Sequence, residues 1–272
     1  SPELLPEIFP SHEQAGTVEI AGLRLPCVYG GADTACAIAG LGLSAGEGFV
    51  AVGSGSQVVA LLAQPSLDAT LRTHTFATPG APGSGWYRIG AVQNAGLALE
   101  PTLAMLGSSF DEAHEALAEG ITDGDPIFTP YLAGERTPFM DPNLRGSWSG
   151  ISLGTTRKML LRSVLEGVAH AVALGVEAVS EAGGELPHTL PFIGGGSTSS
   201  VFTQLLADST NRPLAHVNAA DAAVSGAALL ASGRTSHPTK VQHSAVTTPR
   251  DAEANLLARR RERFLEAVDA LR

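Results

Sequence analysis

Apolar positions along the chain change period part-way through. Residues 49–52 and 57–62 are short β-branched runs separated by Gly53-Ser54-Gly55-Ser56, which predicts a β-hairpin. Further strands are expected at 70–76 and 86–92, with the Pro/Gly-rich stretch 77–85 as an exposed loop between them. Ser109 and Glu112 have capping-box spacing and predict a helix to about 119, and residues 127–132 read as extended.

From residue 155 the period becomes helical. Leu160, Val164, Val168, Val172 and Val176 fall on one face of a long helix that Gly183-Gly184 ends. A strand at 190–193, a turn at Gly194-Gly195-Gly196-Ser197 and a helix at 198–208 follow, with Val201, Phe202, Leu205 and Leu206 pointing inward. A strand at 214–217 and a helix at 222–231 come next. The chain closes with a charged helix that Thr248-Pro249-Arg250-Asp251 introduces as a second capping box. At the other end, a strand is expected at 25–29, and the run 34–40 suits a tightly packed helix with Asp33 at its N-terminus, where the helix dipole favours a carboxylate. Hairpins first, then alternating strands and helices, argue for a mixed α/β domain with helices packed on a central sheet.

The 272 residues, 44% hydrophobic, are enough for a full core. A net charge of −10 and no basic stripe argue against nucleic acid, and no window has the unbroken apolar length of a membrane span. Cys27 and Cys36 are expected to be small buried hydrophobes, which excludes a disulfide framework, and the histidines lack zinc-ligand spacing. A cytoplasmic protein is expected. Residues 1–24 read as a connector and 25–272 as the domain; Ser1-Pro2, with no initiator Met, suggests a piece of something longer.

Candidate chemistry lies in three glycine turns, at Gly30-Gly31-Ala32-Asp33, 53–56 and 194–197, each directly after an expected strand. One such turn signals no more than a positive φ, whereas three at strand ends in one α/β domain mark a ligand edge. No phosphate-loop motif ending in Gly-Lys-Ser/Thr is present. A dinucleotide-binding reading needs a carboxylate after the strand that ends near Val217 and Asn218, and none stands there. Gly53-Ser54-Gly55-Ser56 offers successive N–H groups and hydroxyls to phosphate oxygens.

With these turns goes the run Tyr131-Leu132-Ala133-Gly134-Glu135-Arg136-Thr137-Pro138, then Asp141-Pro142-Asn143-Leu144-Arg145-Gly146, Gly150-Ile151 and Arg162-Ser163-Val164-Leu165-Glu166-Gly167. Together they resemble the C-terminal signature of the FGGY carbohydrate kinases, in the form nearest the xylulose kinases. Leu205-Leu206-Ala207-Asp208, Arg212-Pro213 and Gly226-Ala227-Ala228-Leu229-Leu230-Ala231 fit the same pattern. The resemblance runs from about Leu4 to Ser232. It implies an α/β domain of the actin-like ATPase (ribonuclease H-like) fold, the second of two such domains, the first being absent here.

It further implies ATP and Mg²⁺ as cofactors and a sugar as substrate, most simply D-xylulose, with another sugar, polyol or sugar acid as the alternative. It leaves room for a homodimer. Asp33 would be the catalytic base and would bind substrate together with Thr34. Gly53, Ser54, Gly55, Gly96, Gly195, Gly196, Ser197, Ser199 and Ser200 would bind the nucleotide, with no metal ligand from the protein. Thr34 and Ser197 depart from the residues commonest at those positions in the family.

Plainer readings stand beside these. Asp33 can be a simple helix-capping carboxylate, Glu135 and Arg136 a surface ion pair, and Arg259-Arg260-Arg261 a solvated helix face. A nucleotide- or sugar-binding module without catalysis is the rival function.

Overall fold

The structure is a computed structural model that describes residues 4–217, 219, 221–235 and 243–272. Asn218, at the end of the strand tested for a dinucleotide-type carboxylate, lies outside the described residues.

The chain opens with an antiparallel hairpin, β1 (Gln14–Ile20) and β2 (Leu23–Val28), that forms its own two-stranded sheet. The expected boundary at residue 24 therefore cuts through a hairpin. Next come α1 (Asp33–Leu41), β3 (Gly48–Val52), β4 (Ser56–Leu62), β5 (His74–Ala77) and β6 (Trp86–Val92). Helices α2 (Gly96–Met105) and α3 (Phe110–Ala118) lead to a small antiparallel pair, β7 (Ile127–Thr129) and β8 (Ser147–Ser149). The long helix α4 (Arg157–Glu181) is followed by β9 (Leu190–Ile193), a 3-10 turn (Gly195–Thr198), α5 (Ser200–Thr210) and β10 (Leu214–Val217). The chain ends with α6 (Ala222–Ala231), β11 (His243–Thr247) and α7 (Asp251–Asp269).

Seven strands form the central sheet in the order β11-β10-β9-β3-β4-β6-β5. β9 runs parallel to β3 and to β10, and the remaining neighbours are antiparallel, as expected of a mixed α/β domain. Side chains alternate across β3 and β4 as a period of two requires. Val50, Val52, Val58 and Ala60 pack toward α2, α3, α4 and α5, while Phe49, Val59 and Leu61 pack toward α1 on the other face. Helices α1 and α6 cross at backbone contact. A Cβ on Gly40 would stand 2.1 Å from the Ala222 carbonyl oxygen, and one on Gly226 would stand 1.7 Å from that of Cys36. Glycine is required there for closeness rather than for conformational freedom.

The long helix confirms the 155–182 reading but not its single apolar face. Every residue from Leu161 to Val176 is buried, because the sheet, α3, α5 and α7 enclose α4 on all sides. Its polar residues are therefore paired internally. In length and mean hydropathy α4 could cross a membrane, yet it is the core helix of this domain.

Several local readings need correction. The strand expected at 70–76 begins only at His74. The Asp68 carboxylate accepts hydrogen bonds from the N–H groups of Thr70, Arg72 and Thr73, and from the hydroxyls of Thr70 and Thr73, and so holds this stretch in a turn. Burial opposes the charge of Asp68, but these bonds outweigh it and hold the carboxyl well below its ordinary range.

The closing helix begins at Asp251 with Arg250, not Thr248, at the N-cap position. Arg250 is fixed instead by bonds from its backbone N–H and guanidinium to the buried Asp208. The middle member of the arginine cluster, Arg260, is fully buried rather than solvated. Cys36 is buried as expected, but Cys27 is exposed on the first hairpin.

The helix α2 carries Gly96 at its start and Pro101 inside, both poor helix residues, and has no side-chain cap. Tertiary contacts start it. The N–H groups of Ala95, Gly96 and Leu97 donate to the Ser54, Gly53 and Ser54 carbonyls respectively, so the β3–β4 turn caps the helix.

Candidate active site

Two adjoining depressions lie at the ends of β3 and β9, where the glycine turns meet. The first, of about 180 Å³, is lined by Asp33, Thr34, Gln57, Gly194 and the apolar residues Ala37, Phe49 and Ile193. The second, of about 350 Å³, is lined by Gly53, Gly96, Gly195, Gly196, Thr198 and Ser199 against Val52, Leu99, Phe110, His114, Leu165 and Phe202. Consecutive residues of one turn, Gly194 and Gly195, line the two sides and form their common wall.

Asp33 is exposed at the first residue of α1. Its Oδ1 accepts from the Thr34 N–H at 2.7 Å and from the Thr34 hydroxyl at 3.3 Å; that hydroxyl also lies 2.9 Å from Gln57 Oε1. The residue preceding it, Ala32, is the N-cap, so Asp33 is not the capping group. One carboxylate oxygen is thus held by its neighbour. The negative charge is felt nearby, since after burial it is the Coulombic cause that raises the Tyr87 hydroxyl above its ordinary value.

The second depression gathers most of the expected nucleotide residues and sorts them by role. A Cβ on Gly195 would meet nothing within 4 Å, so this backbone faces open space. Gly96 and Gly196 are there because nothing larger fits. A Cβ would lie 2.7 Å from the Gly53 carbonyl oxygen in the first case and 2.9 Å from Val52 Cβ in the second. The Gly96 N–H is occupied by that same carbonyl, so Gly96 shapes the wall and does not offer its donor to a ligand.

Hydroxyls are similarly committed. Ser197 donates to the Gly194 carbonyl at 2.8 Å, and Ser199 caps α5 by accepting from the Phe202 N–H at 3.2 Å. Ser54 and Gly55 lie in the β3–β4 turn and Ser200 on α5, but none of these three lines the depression.

Residues that the sequence did not single out complete the wall. Phe110 and His114 are one helical turn apart on α3, their ring centroids 6.4 Å apart, and burial lowers the His114 pKa. Their i, i+4 spacing was a readable signal, because the capping box had already placed them on one helix. Gln57, which lies beside Thr34, had no such mark.

The charged residues of the 131–167 run lie elsewhere. Glu135 is buried and makes no pair with Arg136. Its oxygens accept from the N–H groups of Gln93, Asn94 and Arg136 and from the Asn94 amide. Burial raises its pKa despite these bonds. Glu135 clamps the turn between β6 and α2. Arg162 forms a two-pronged pair with Asp125 at 2.6 and 2.7 Å, and Glu166 pairs with Arg260 of α7 at 2.5 and 2.6 Å.

Comparison with known proteins identifies the family. Residues 49–233 match the C-terminal domain of the FGGY family of carbohydrate kinases. Xylulose kinase of Bacillus subtilis is 31% identical over 245 residues, covering 85% of this chain and 48% of that protein. A glycerol kinase of Citrifermentans bemidjiense is 30% identical over 238 residues, covering 84% and 47%. The crystal structure of a xyloylose kinase from Brucella ovis superimposes on 99% of this chain and 58% of its own, with a TM-score of 0.83 and 28% identity. The chain spans about half the length of the relatives it matches. The domain has the actin-like ATPase fold, and the chain belongs to the FGGY family of carbohydrate kinases.

Proposed function

We propose that this chain is the nucleotide-binding half of an ATP-dependent kinase whose whole protein phosphorylates D-xylulose to xylulose 5-phosphate in the cytoplasm. The observation that carries the reading is the shared wall. Asp33 lines one depression and the glycines line the other, and the consecutive residues Gly194 and Gly195 belong one to each, which supports a terminal phosphate at that turn meeting a hydroxyl held by Asp33.

Phosphoryl transfer asks little covalent chemistry of the protein and much alignment. Asp33 would orient the sugar hydroxyl and take its proton as the sugar oxygen bonds to the terminal phosphorus and the bond from that phosphorus to the bridging oxygen breaks, releasing ADP. Thr34 fixes the carboxylate through Oδ1. The open backbone at Gly195 suits phosphate oxygens, whereas the Gly53 N–H is already bonded to the Gly55 carbonyl, and the apolar shelf of Leu99, Phe110, His114 and Phe202 suits a planar base. Mg²⁺ supplies charge neutralisation on the phosphates. Sugar contacts beyond Asp33 and Thr34 fall to the domain that precedes this one in the relatives, and this chain alone is expected to be inactive.

The test is ADP release by the protein carrying both domains, with ketopentoses, glycerol and gluconate as acceptors. D-Xylulose should give the highest kcat/KM. A polyol or sugar acid that exceeds it would overturn the substrate reading; glycerol is the first rival, given the 30% identical glycerol kinase. Nucleotide binding without turnover on any acceptor would favour a non-catalytic module.

A further inference from the structure

Gln57 lines the Asp33 depression, yet phosphoryl transfer as described gives it no task. On β4 it shares the alternation of Val59 and Leu61, so it stands on the sheet face that packs against α1. Its cross-strand neighbours are Ala51 on β3 and Ala91 on β6, and two small residues beside a long one give the carboxamide room to reach the depression. The bonds around Thr34 decide which end of that carboxamide is free. A threonine hydroxyl has one proton to donate. Gln57 Oε1 stands 2.9 Å from it and Asp33 Oδ1 3.3 Å, and Asp33 Oδ1 already accepts from the Thr34 N–H at 2.7 Å. The shorter contact takes the proton, so Oε1 is the held end and Nε2, with its two N–H donors, is the free one. Among the described residues Nε2 has no hydrogen-bond partner. Thr34 is buried in the first turn of α1, so the group that sets this orientation is itself fixed.

We propose that Gln57 is a sugar-binding residue that donates to the oxygen on the carbon next to the phosphorylated one, so that the site takes a terminal vicinal diol rather than an isolated primary alcohol. Asp33 and Gln57 both bond the same Thr34 oxygen, which sets an acceptor and a donor side by side. The other side chains that line the depression, from Ala37 and Phe49 to Ile193 and Ala222, are apolar. A hydroxyl that gives its proton to Asp33 therefore has one neighbouring position at which an oxygen is matched, and Gln57 Nε2 supplies the match. A methylene at that position leaves the Nε2 donors unpaired against an apolar wall, which is how a site rejects an analogue that lacks one hydroxyl. In D-xylulose the neighbour is the 4-hydroxyl. The preceding domain then need not read that oxygen, and this chain contributes a third sugar contact beside Asp33 and Thr34.

This role rests on the proposed kinase reaction, so binding is measured as well as turnover. In the protein that carries both domains, kcat and KM are determined with D-xylulose and with its 4-deoxy analogue, and the Kd of each is determined by calorimetry without nucleotide. The parent should favour D-xylulose by about tenfold or more in both kcat/KM and Kd. Gln57→Leu should raise KM and Kd for D-xylulose by about tenfold and leave those for the analogue within about threefold, so that the preference disappears. Gln57→Glu keeps the shape and an acceptor for Thr34 but has no donor, and should lose the preference as well. KM for ATP and the urea midpoint should stay near those of the parent in both variants.

A parent that binds both acceptors equally, or neither, would overturn the proposal, and that comparison needs no substitution. So would a preference that survives in both variants, because the preceding domain would then read the oxygen. Variants that weaken both acceptors alike would reduce Gln57 to a support for Thr34 and Asp33. The kinase reading is decided separately. Turnover without discrimination rejects the vicinal-diol contact and leaves the kinase standing, whereas discrimination in Kd without turnover does the reverse.

Discussion

The glycine turns at the strand ends and the Arg162–Glu166 stretch of α4 both belong to the residue pattern that marks the family, yet they use their chemistry in opposite ways. Around Gly195 the backbone is left open, and Asp33 stands exposed with one oxygen held. Along α4 the charged groups are consumed inside the protein. Arg162 is spent on Asp125, and Glu166 on Arg260, whose guanidinium also donates to the carbonyls of Thr122, Asp125 and Pro126. A charged residue in a motif is thus no guide to a site until its partners are known. What distinguishes the ligand edge is unspent hydrogen-bonding capacity beside open volume.

That contrast predicts separable losses. Asp33→Asn, in the protein that carries both domains, should lower kcat by roughly 10²–10⁴-fold, the usual worth of a general base. Its urea midpoint and nucleotide affinity should stay near those of the parent, since the side chain is exposed. Retained turnover would break the catalytic assignment. Arg260→Met should do the reverse, destabilising the fold by about 3–5 kcal/mol by leaving Glu166 buried without its partner. Urea unfolding measures this, and a shift under about 1 kcal/mol would mean that the pair is not the clamp described.

The same pair has a pH signature. Burial works against the charge on Glu166 and on Asp125, but hydrogen bonds from His170 and Arg260 to the first and from Arg162 and Thr122 to the second prevail, and both carboxyls lie below their ordinary values. A depressed carboxyl contributes stability above its unfolded pKa of roughly 4 and loses it as pH falls through the folded value. The parent should therefore weaken on acidification below about pH 4. In Arg260→Met Glu166 keeps His170 but loses its guanidinium partner, so burial weighs more and its pKa rises from the parent's depressed value. The penalty should be smaller at pH 4.5 than at pH 7, and equal penalties at both would contradict the pairing.

How much of this was legible follows from where the information lies. Strands β3, β4, β6, β9 and β10 and helices α3, α4 and α6 are local patterns, written in apolar period and caps, and they stand close to where the sequence puts them. Elements that depend on distant partners were not readable. Helix α2 is capped by the carbonyls of a turn some forty residues earlier, and β8 is a three-residue strand defined by its pairing with β7. Arg260 illustrates the limit. Between the exposed Arg259 and the half-buried Arg261 nothing local distinguishes it, and its partner Glu166 is 94 positions away. The site fared better for backbone than for side chains. Glycines at strand ends announced the cradle, whereas the commitment of the Ser197 and Ser199 hydroxyls depends on turn geometry.

Ser199 is where the two uses of a polar group can be told apart at smallest scale. It lines the glycine depression, so its hydroxyl is available in position, but that hydroxyl accepts from Phe202 as the N-cap of α5. An N-cap hydroxyl contributes about 1 kcal/mol, and its lone pairs face the helix rather than a phosphate. Ser199→Ala should therefore lower unfolding free energy by about 1 kcal/mol and leave KM for ATP within about threefold, while Ser199→Asn, which can still cap, should recover most of the stability. A tenfold rise in KM with unchanged stability would transfer Ser199 from the frame of the site to its ligand contacts. In that case the line between spent and unspent groups would run through the 194–199 turn itself, not between that turn and α4.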